Sequence, residues 1–123
     1  MSTDLVALTR RLDLKRELAQ ALAVLSQRLL ELDRLAEALQ HLLEAGDMFS
    51  QLGDSEEHIR TLTSIAYVYE RCGSDAAAAL AAWEHVASLQ SVRGNAAGEL
   101  EAFEGRARVA RNQHRDLPAA LGY

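Results

Sequence analysis

Leu52-Gly53-Asp54 is matched 41 residues later by Arg93-Gly94-Asn95, and this repeated stretch decides the predicted fold. A glycine after the end of one helix, followed by Asp or Asn at the start of the next, favours a tight turn between helices. Arg11-Leu12-Asp13 lies 41 residues upstream of the first stretch, with its aspartate in the same register. The three stretches therefore predict helix starts at equal spacing.

A second kind of boundary lies between these stretches, and an Ala-Leu pair follows each one. Its copies are Leu32-Asp33-Arg34, Cys72-Gly73-Ser74-Asp75 and His114-Arg115-Asp116. Between boundaries, apolar residues recur every three or four positions, which predicts amphipathic helices. The chain is therefore predicted to be all-α. The expected helices span about 3–11, 14–31, 35–52, 55–72, 76–92 and 96–113, and another begins near Leu117.

The composition agrees with helices and narrows the functional classes. Leu and Ala dominate the 49% of apolar residues, aromatic residues are only 5%, and there is one proline. These residues lose little side-chain freedom in a helix, whereas sheets favour β-branched and aromatic residues. A net charge of −5 with interspersed signs gives no basic footprint for nucleic acid. The N-terminus lacks a signal-peptide pattern, no apolar run approaches a membrane span, and Cys72 has no cysteine to pair with. We therefore expect a cytoplasmic protein without nucleic-acid or membrane partners.

The second repeat resembles a tetratricopeptide repeat of the longer-period form common in bacterial regulatory proteins. The residues that carry this resemblance are Ile65-Ala66, Tyr69, Gly73, Ala79 and Trp83. The first repeat matches at Leu25-Ser26, Leu29, Asp33, Ala38, Leu42 and Ala45, and the third at Ala107, Ala110 and Ala120. The closing proline of the family is missing from each repeat, with Gly-Asp or Gly-Asn in its place.

The resemblance implies a right-handed α-solenoid of antiparallel helical hairpins, with six to seven helices in a single domain, 1–123. That domain would contain a half repeat (1–12), two full repeats (13–53 and 54–94) and a truncated third (95–123). It also implies a concave groove lined by the first helix of each repeat. The groove positions it implies are Gln20, Ala23, Gln27 and Leu30 in the first repeat, Arg60, Thr63, Tyr67 and Glu70 in the second, and Glu101, Glu104, Arg108 and Arg111 in the third. The polar and aromatic members are the candidate binding residues.

Tyr67 is the strongest candidate for binding within this set. Tyr69 already occupies the core position, so Tyr67 is expected to point to the other side of its helix. Tyr and Arg together are the residue types found in binding hot spots, and arginines there could bind the carboxylates of a partner. The alternative interpretation is that these are only polar residues facing solvent. A clamp for the carboxylate end of a peptide is not expected, because Arg108 alone fits that pattern.

No other chemistry is indicated by the motifs. The four histidines have no i, i+4 pair for a metal, so no metal or cofactor is expected. Nothing resembles a nucleophile elbow or a phosphate loop, and we predict that the chain is not an enzyme. Aromatic residues on the apolar stripe are predicted to be core: Phe49, Tyr69, Trp83 and Phe103. Gly98 and Gly105 interrupt a predicted helix, either because helices approach closely there or because that helix is weak.

These observations predict a protein-interaction module that binds a peptide or partner domain in a concave groove, in a regulatory or scaffolding role. Two alternatives remain open. The chain could be an oligomerisation segment that acts through the ends of its solenoid, or a sensor of a small ligand or peptide. Both ends carry apolar helix faces without an evident cap, with Leu5, Leu8 and Leu12 at one end and Leu117 and Leu121 at the other. Either the sequence is part of a longer chain, or these faces pair between copies. We expect the second, as a homodimer or end-to-end self-association.

Overall fold

The computed structural model describes the backbone of residues 2–73 and 75–120, and the side chains of residues 5–73 and 75–112. The described part is all-helical, without a strand, which confirms the predicted fold class. It contains five helices: α1 (Ser2–Glu31), α2 (Leu35–Leu52), α3 (Ser55–Cys72), α4 (Ala76–Arg93) and α5 (Ala96–Ala120). None of the described helices is long and apolar enough to cross a membrane.

Two helix breaks expected from the sequence are not present. α1 continues through Asp13, although a separate helix was expected to end near residue 11. α5 continues through residues 114–116 to Ala120, where a new helix was expected near Leu117. Neither of these two boundaries contains the glycine that ends a helix at Gly53 and Gly94. Asp within a helix is only mildly unfavourable, so the helices continue and five replace the expected six to seven.

The remaining turns lie where the sequence predicts them, because local residues satisfy the helix ends. Gly53 and Gly94 adopt left-handed backbone conformations, with φ of 72° and 73°. The Asp54 N–H donates to the Phe49 carbonyl at 3.0 Å, and the Asn95 N–H to the Gln90 carbonyl at 2.9 Å. These bonds close two equivalent C-terminal caps, 41 residues apart.

The starts of α4 and α5 are each capped by a short polar side chain. The Asn95 side chain accepts the Gly98 N–H at 3.1 Å, and the Asp75 side chain accepts the Ala78 N–H at 3.0 Å. The first turn of the chain lacks a glycine, and Asp33 takes its place with φ of 59°. Asp tolerates this conformation better than most residues, which explains how this boundary forms without glycine.

Burial follows the same spacing as the turns. The buried residues of α2 are Ala38, Leu42, Ala45, Gly46 and Phe49. Those of α4 are Ala79, Trp83, Val86, Ala87 and Gln90. Each member of the second set lies 41 residues after a member of the first, so the two helices bury the same face.

The chain divides into two compact units, of which the first ends at Thr61 and the second begins at Leu62, within α3. In the first unit, α1 packs against α2 around a core of Ala19, Ala45 and Phe49. The Lys15 ammonium donates a hydrogen bond to the Gln51 side chain, which places the end of α2 beside the middle of α1. In the second unit, α4 packs against α5.

Candidate functional site

Tyr67 presents an aromatic side chain at the surface of the second unit. It is 40% exposed, and its hydroxyl donates a hydrogen bond to a Glu101 carboxylate oxygen at 3.0 Å. Its ring meets the Trp83 ring edge-on, with ring centroids 4.8 Å apart and an interplanar angle of 87°. Tyr69 is half-buried. Tyr67 is therefore the more exposed of the two rings, and the part of it that is not exposed packs against Trp83.

Trp83 packs against the buried side of the Tyr67 ring and is itself completely buried. It can lie there because Gly105 of α5 has no side chain. A Cβ atom at Gly105 would lie 2.3 Å from the Trp83 Cε2 atom, which no packed structure tolerates. Gly98 has a similar role, since its Cβ would lie 2.4 Å from the Gln90 amide nitrogen. Both glycines therefore serve close approach between α4 and α5 rather than marking a weak helix.

Arg108 lies beside this aromatic pair and is held by a carboxylate of the same chain. Its Nε donates to one Glu70 oxygen at 2.7 Å, and an Nη donates to the other at 3.3 Å. Its guanidinium carbon lies 5.7 Å from the centroid of the Tyr67 ring and 5.9 Å from that of Trp83. Both distances suit a cation–π contact. We call Tyr67, Glu70, Trp83, Glu101 and Arg108 the aromatic–arginine cluster.

The internal ion pair changes what Arg108 can do for a partner. The sequence suggested that its guanidinium could bind a partner's carboxylate, but Glu70 already occupies that position in a two-pronged geometry. The hydrogen bond to Glu70 raises the pKa of Arg108 further above its ordinary value, so the charge is fixed. A partner's carboxylate would have to displace Glu70. The exposed aromatic surface is consequently the more accessible feature of the cluster.

The surroundings of Tyr67 also raise the pKa of its hydroxyl. Partial burial is the largest cause, followed by the hydrogen bond to Glu101 and the negative charge of that carboxylate. Arg108 acts in the opposite direction, because a nearby positive charge favours the phenolate. Since the folded pKa lies above the unfolded one, this contribution to stability is present below pH 10 and is lost as pH rises through the folded pKa.

Tyrosine absorbance titrations should show these opposing effects. We expect one tyrosine of the folded chain to ionise above the ordinary pKa of 10.0. Replacing Glu101 with Gln should lower that pKa, because the negative charge is lost. Replacing Arg108 with Gln should raise it, because the opposing positive charge is lost. Tyr67→Phe is the control and should remove the shifted step. Equal Tyr67 pKa values in the intact chain and in the two Gln variants would contradict the geometry of the cluster.

The other predicted groove residues are distributed over both units. Arg60 pairs with Glu56 and Glu57 on its own helix, at 3.7 Å and 3.0 Å. Thr63 is half-buried on α3, and Glu104 and Arg111 are exposed on α5. Gln20 and Gln27 are exposed on α1, in the first unit. The structure therefore brings together Tyr67, Glu70, Glu101 and Arg108 from the predicted set.

One member of the cluster was not predicted to act there. Trp83 was assigned only to the core, and it is both core and the support for Tyr67. Glu101 was a predicted groove position, and its carboxylate accepts the hydrogen bond of the Tyr67 hydroxyl. The sequence contained a usable signal for the rest of the cluster, because Tyr67 and Arg108 are 41 residues apart, at equivalent positions of the repeated spacing. The prediction that Phe103 belongs to the core is wrong, because this side chain is 47% exposed and lies beside Arg106.

A small cleft opens beside Glu70 in the second unit. It has a volume of about 60 Å³ and is lined by Tyr69, Glu70, Gly73, Ala76, Ala79, Val109 and Asn112. Pockets for small organic ligands usually measure about 300–1,000 Å³. This cleft could hold one small side chain or a few waters. It therefore fits a contact with part of a larger partner better than it fits a metabolite.

Within the side chains that the structure describes, no three His, Cys, Asp or Glu residues are grouped as a metal site would require. The sequence matches no protein-family model and no curated protein.

Proposed function

We propose that this chain is a helical-repeat module that binds a peptide or a partner domain through the aromatic–arginine cluster. The observation that carries the proposal is the half-exposed Tyr67 ring, fixed between buried Trp83 and the guanidinium of Arg108. A rigid aromatic side chain loses little conformational freedom on binding, and Tyr, Trp and Arg are the residues enriched at binding hot spots. Regulation or scaffolding is the role that such a module would serve.

We further propose a tetratricopeptide-like arrangement, in which the helices form the successive hairpins of a right-handed solenoid. The support comes from the 41-residue recurrence of the helix caps and of the buried positions in α2 and α4. In the second unit, the equivalent residues Tyr67 and Arg108 lie side by side, as the first helices of consecutive repeats would place them. A cytoplasmic location remains a prediction from the sequence.

A purely structural role for the cluster is the main competing explanation. The Tyr67–Glu101 and Glu70–Arg108 contacts both connect α3 with α5, and they could serve only to hold these helices together. Such a role would not require Tyr67 to be 40% exposed. Removal of the ring would then reduce stability without affecting any binding.

Selection from a random peptide library displayed on phage separates the two explanations. We expect the intact chain to enrich peptides that bind it, and Tyr67→Ala to weaken their binding by about 30-fold or more, the size of a hot-spot truncation of about 2 kcal/mol. Val92→Ala is a matched control on α4, because Val92 is 87% exposed and lies outside the cluster. Thermal unfolding of each variant reports stability separately.

The proposal fails if selected peptides bind Tyr67→Ala as tightly as they bind the intact chain. Arg108→Gln provides a second, independent arm, since it removes the cation–π contact while retaining a polar side chain. A loss of binding in both variants, with both still folded, assigns the peptide to this surface.

A further inference from the structure

α1 carries an exposed apolar stripe that the first unit does not use. The face of α1 toward α2 is formed by Ala19 and its neighbours on the same side, which are buried or half-buried. A different side of the helix remains in contact with solvent and carries Leu14, Leu18 and Leu25, which are 45–65% exposed, with exposed Ala21 between them. We call Leu14, Leu18, Ala21 and Leu25 the α1 stripe.

The spacing of the α1 stripe is that of a helix-pairing seam. Its members follow one another at intervals of four, three and four residues, the spacing of the inner positions of a heptad repeat. Arg11 and Arg28 occupy the next inner position at either end of the stripe. Leu residues with a central Ala allow two helices to approach closely. Soluble chains rarely leave such a continuous apolar row exposed without a partner. The stripe therefore indicates pairing with another helix.

We propose that the α1 stripe pairs with the α1 stripe of a second copy of this chain, in antiparallel orientation about a two-fold axis. In this register Leu18 meets Ala21 of the second copy, and Leu14 meets Leu25 of the second copy. Because the axis is two-fold, each of these contacts occurs twice. Such an interface is closed, so the product is a dimer rather than a filament.

The charges that flank the α1 stripe favour this antiparallel register over the two neighbouring ones. Arg10 and Glu31 are both exposed and flank the two ends of the stripe on the same side. In the antiparallel register, Arg10 lies opposite Glu31 of the second copy, and the ion pair forms twice. Shifting the register by one heptad in either direction instead brings Glu17 opposite Glu17 or Glu31 of the second copy. Like charges at such flanking positions disfavour those registers.

Two symmetry-related layers oppose the pairing and limit its strength. Arg11 meets Arg28 of the second copy, and Arg28 meets Arg11 of the second copy, at the inner positions beyond the Leu layers. Both side chains are exposed and long enough to direct their charges into solvent. We therefore expect a dimer that dissociates on dilution rather than an obligate one.

Light scattering and sedimentation equilibrium over a concentration series test the proposal on the full chain. We expect a mass approaching twice the 13.5 kDa of one chain at high micromolar concentration. Leu18→Glu should raise the dissociation constant at least about 100-fold, because it places two unpaired charges in the seam. Since Leu18 is exposed in the single chain, this variant should keep its helical circular dichroism.

Charge reversal tests the orientation. Arg10→Glu alone and Glu31→Arg alone should each weaken the dimer about tenfold, because each replaces two attractive contacts with repulsive ones. The double variant should restore most of the affinity, since the pairs re-form with opposite signs. Tyr67→Ala, which lies in the other unit, should leave the mass unchanged and so separates this interface from the peptide site.

A single-chain mass at every concentration would overturn the proposal. A dimer that persists in Leu18→Glu would also overturn it, because association would then use another surface, such as the exposed Phe103 face of α5. Failure of the double charge variant to recover affinity would exclude the antiparallel register.

Discussion

Gly105→Ala is expected to lower the free energy of unfolding by about 2–3 kcal/mol, the cost typical of an overpacked core. The added Cβ would lie 2.3 Å from Cε2 of Trp83 and 2.7 Å from its Nε1. Carbon atoms in contact prefer about 3.5–4.0 Å, so the ring or α5 would have to move by about 1 Å or more. Chemical denaturation followed by circular dichroism gives the measurement.

The sign of this effect distinguishes two explanations of the glycine. In a helix without a packing constraint, Ala is more favourable than Gly by about 1 kcal/mol, so the substitution would stabilise the chain. Close approach to Trp83 predicts the reverse. An increase in stability for Gly105→Ala would show that α4 and α5 do not pack as described.

Two further variants test whether the absence of a side chain at Gly105 leaves room for the Trp83 ring. Gly98→Ala should have a smaller effect, because its Cβ would meet the flexible end of the Gln90 side chain. Combining Gly105→Ala with Trp83→Leu should be non-additive by about 1–2 kcal/mol, since a smaller side chain leaves room for the methyl group. Strict additivity would mean that the two residues do not interact.

Local chemistry explains why most of the helix boundaries could be predicted. Gly53, Gly73 and Gly94 each adopt a positive φ that other residues adopt only with strain, so their positions specify turns directly. The two missing breaks have no such residue. At Asp13 the prediction relied on repeat spacing alone. The residues on either side of this aspartate are favourable helix formers, and this is sufficient for α1 to continue through it.

The site could be predicted only in part, because its contacts depend on which helices lie side by side. The alternation of Tyr67 and Tyr69 was enough to predict which ring is exposed. The Glu70–Arg108 ion pair joins residues 38 positions apart, and no local pattern indicates it. Phe103 shows the same limit: α5 has apolar residues on more than one side, and tertiary packing decides which side is buried.

Trp83→Ala should have the largest effect of any substitution in the second unit, a loss of about 3–5 kcal/mol in unfolding free energy, as for other large core aromatic residues. Trp83 has no exposed surface, and its removal leaves a cavity that the helices can fill only in part. Val92→Ala on the same helix is the matched control. Val92 is 87% exposed, and we expect a change within about 0.5 kcal/mol.

The same substitution should also affect the binding surface, which connects the core to the function proposed for this chain. Without Trp83, the Tyr67 ring loses its edge-on contact and Arg108 loses one of its two aromatic faces. The greater exposure of Tyr67 should move its pKa back toward 10.0, because burial is the largest cause of the shift.

Trp83→Phe separates the two roles of this residue. It retains an aromatic ring against Tyr67 and omits the indole N–H, which has no hydrogen-bond partner among the described residues. If Trp83→Phe keeps the raised Tyr67 pKa and still binds the selected peptides, while Trp83→Ala loses both properties, then an aromatic ring at position 83 is what positions Tyr67 for binding. If both variants retain peptide binding, Tyr67 does not depend on this support.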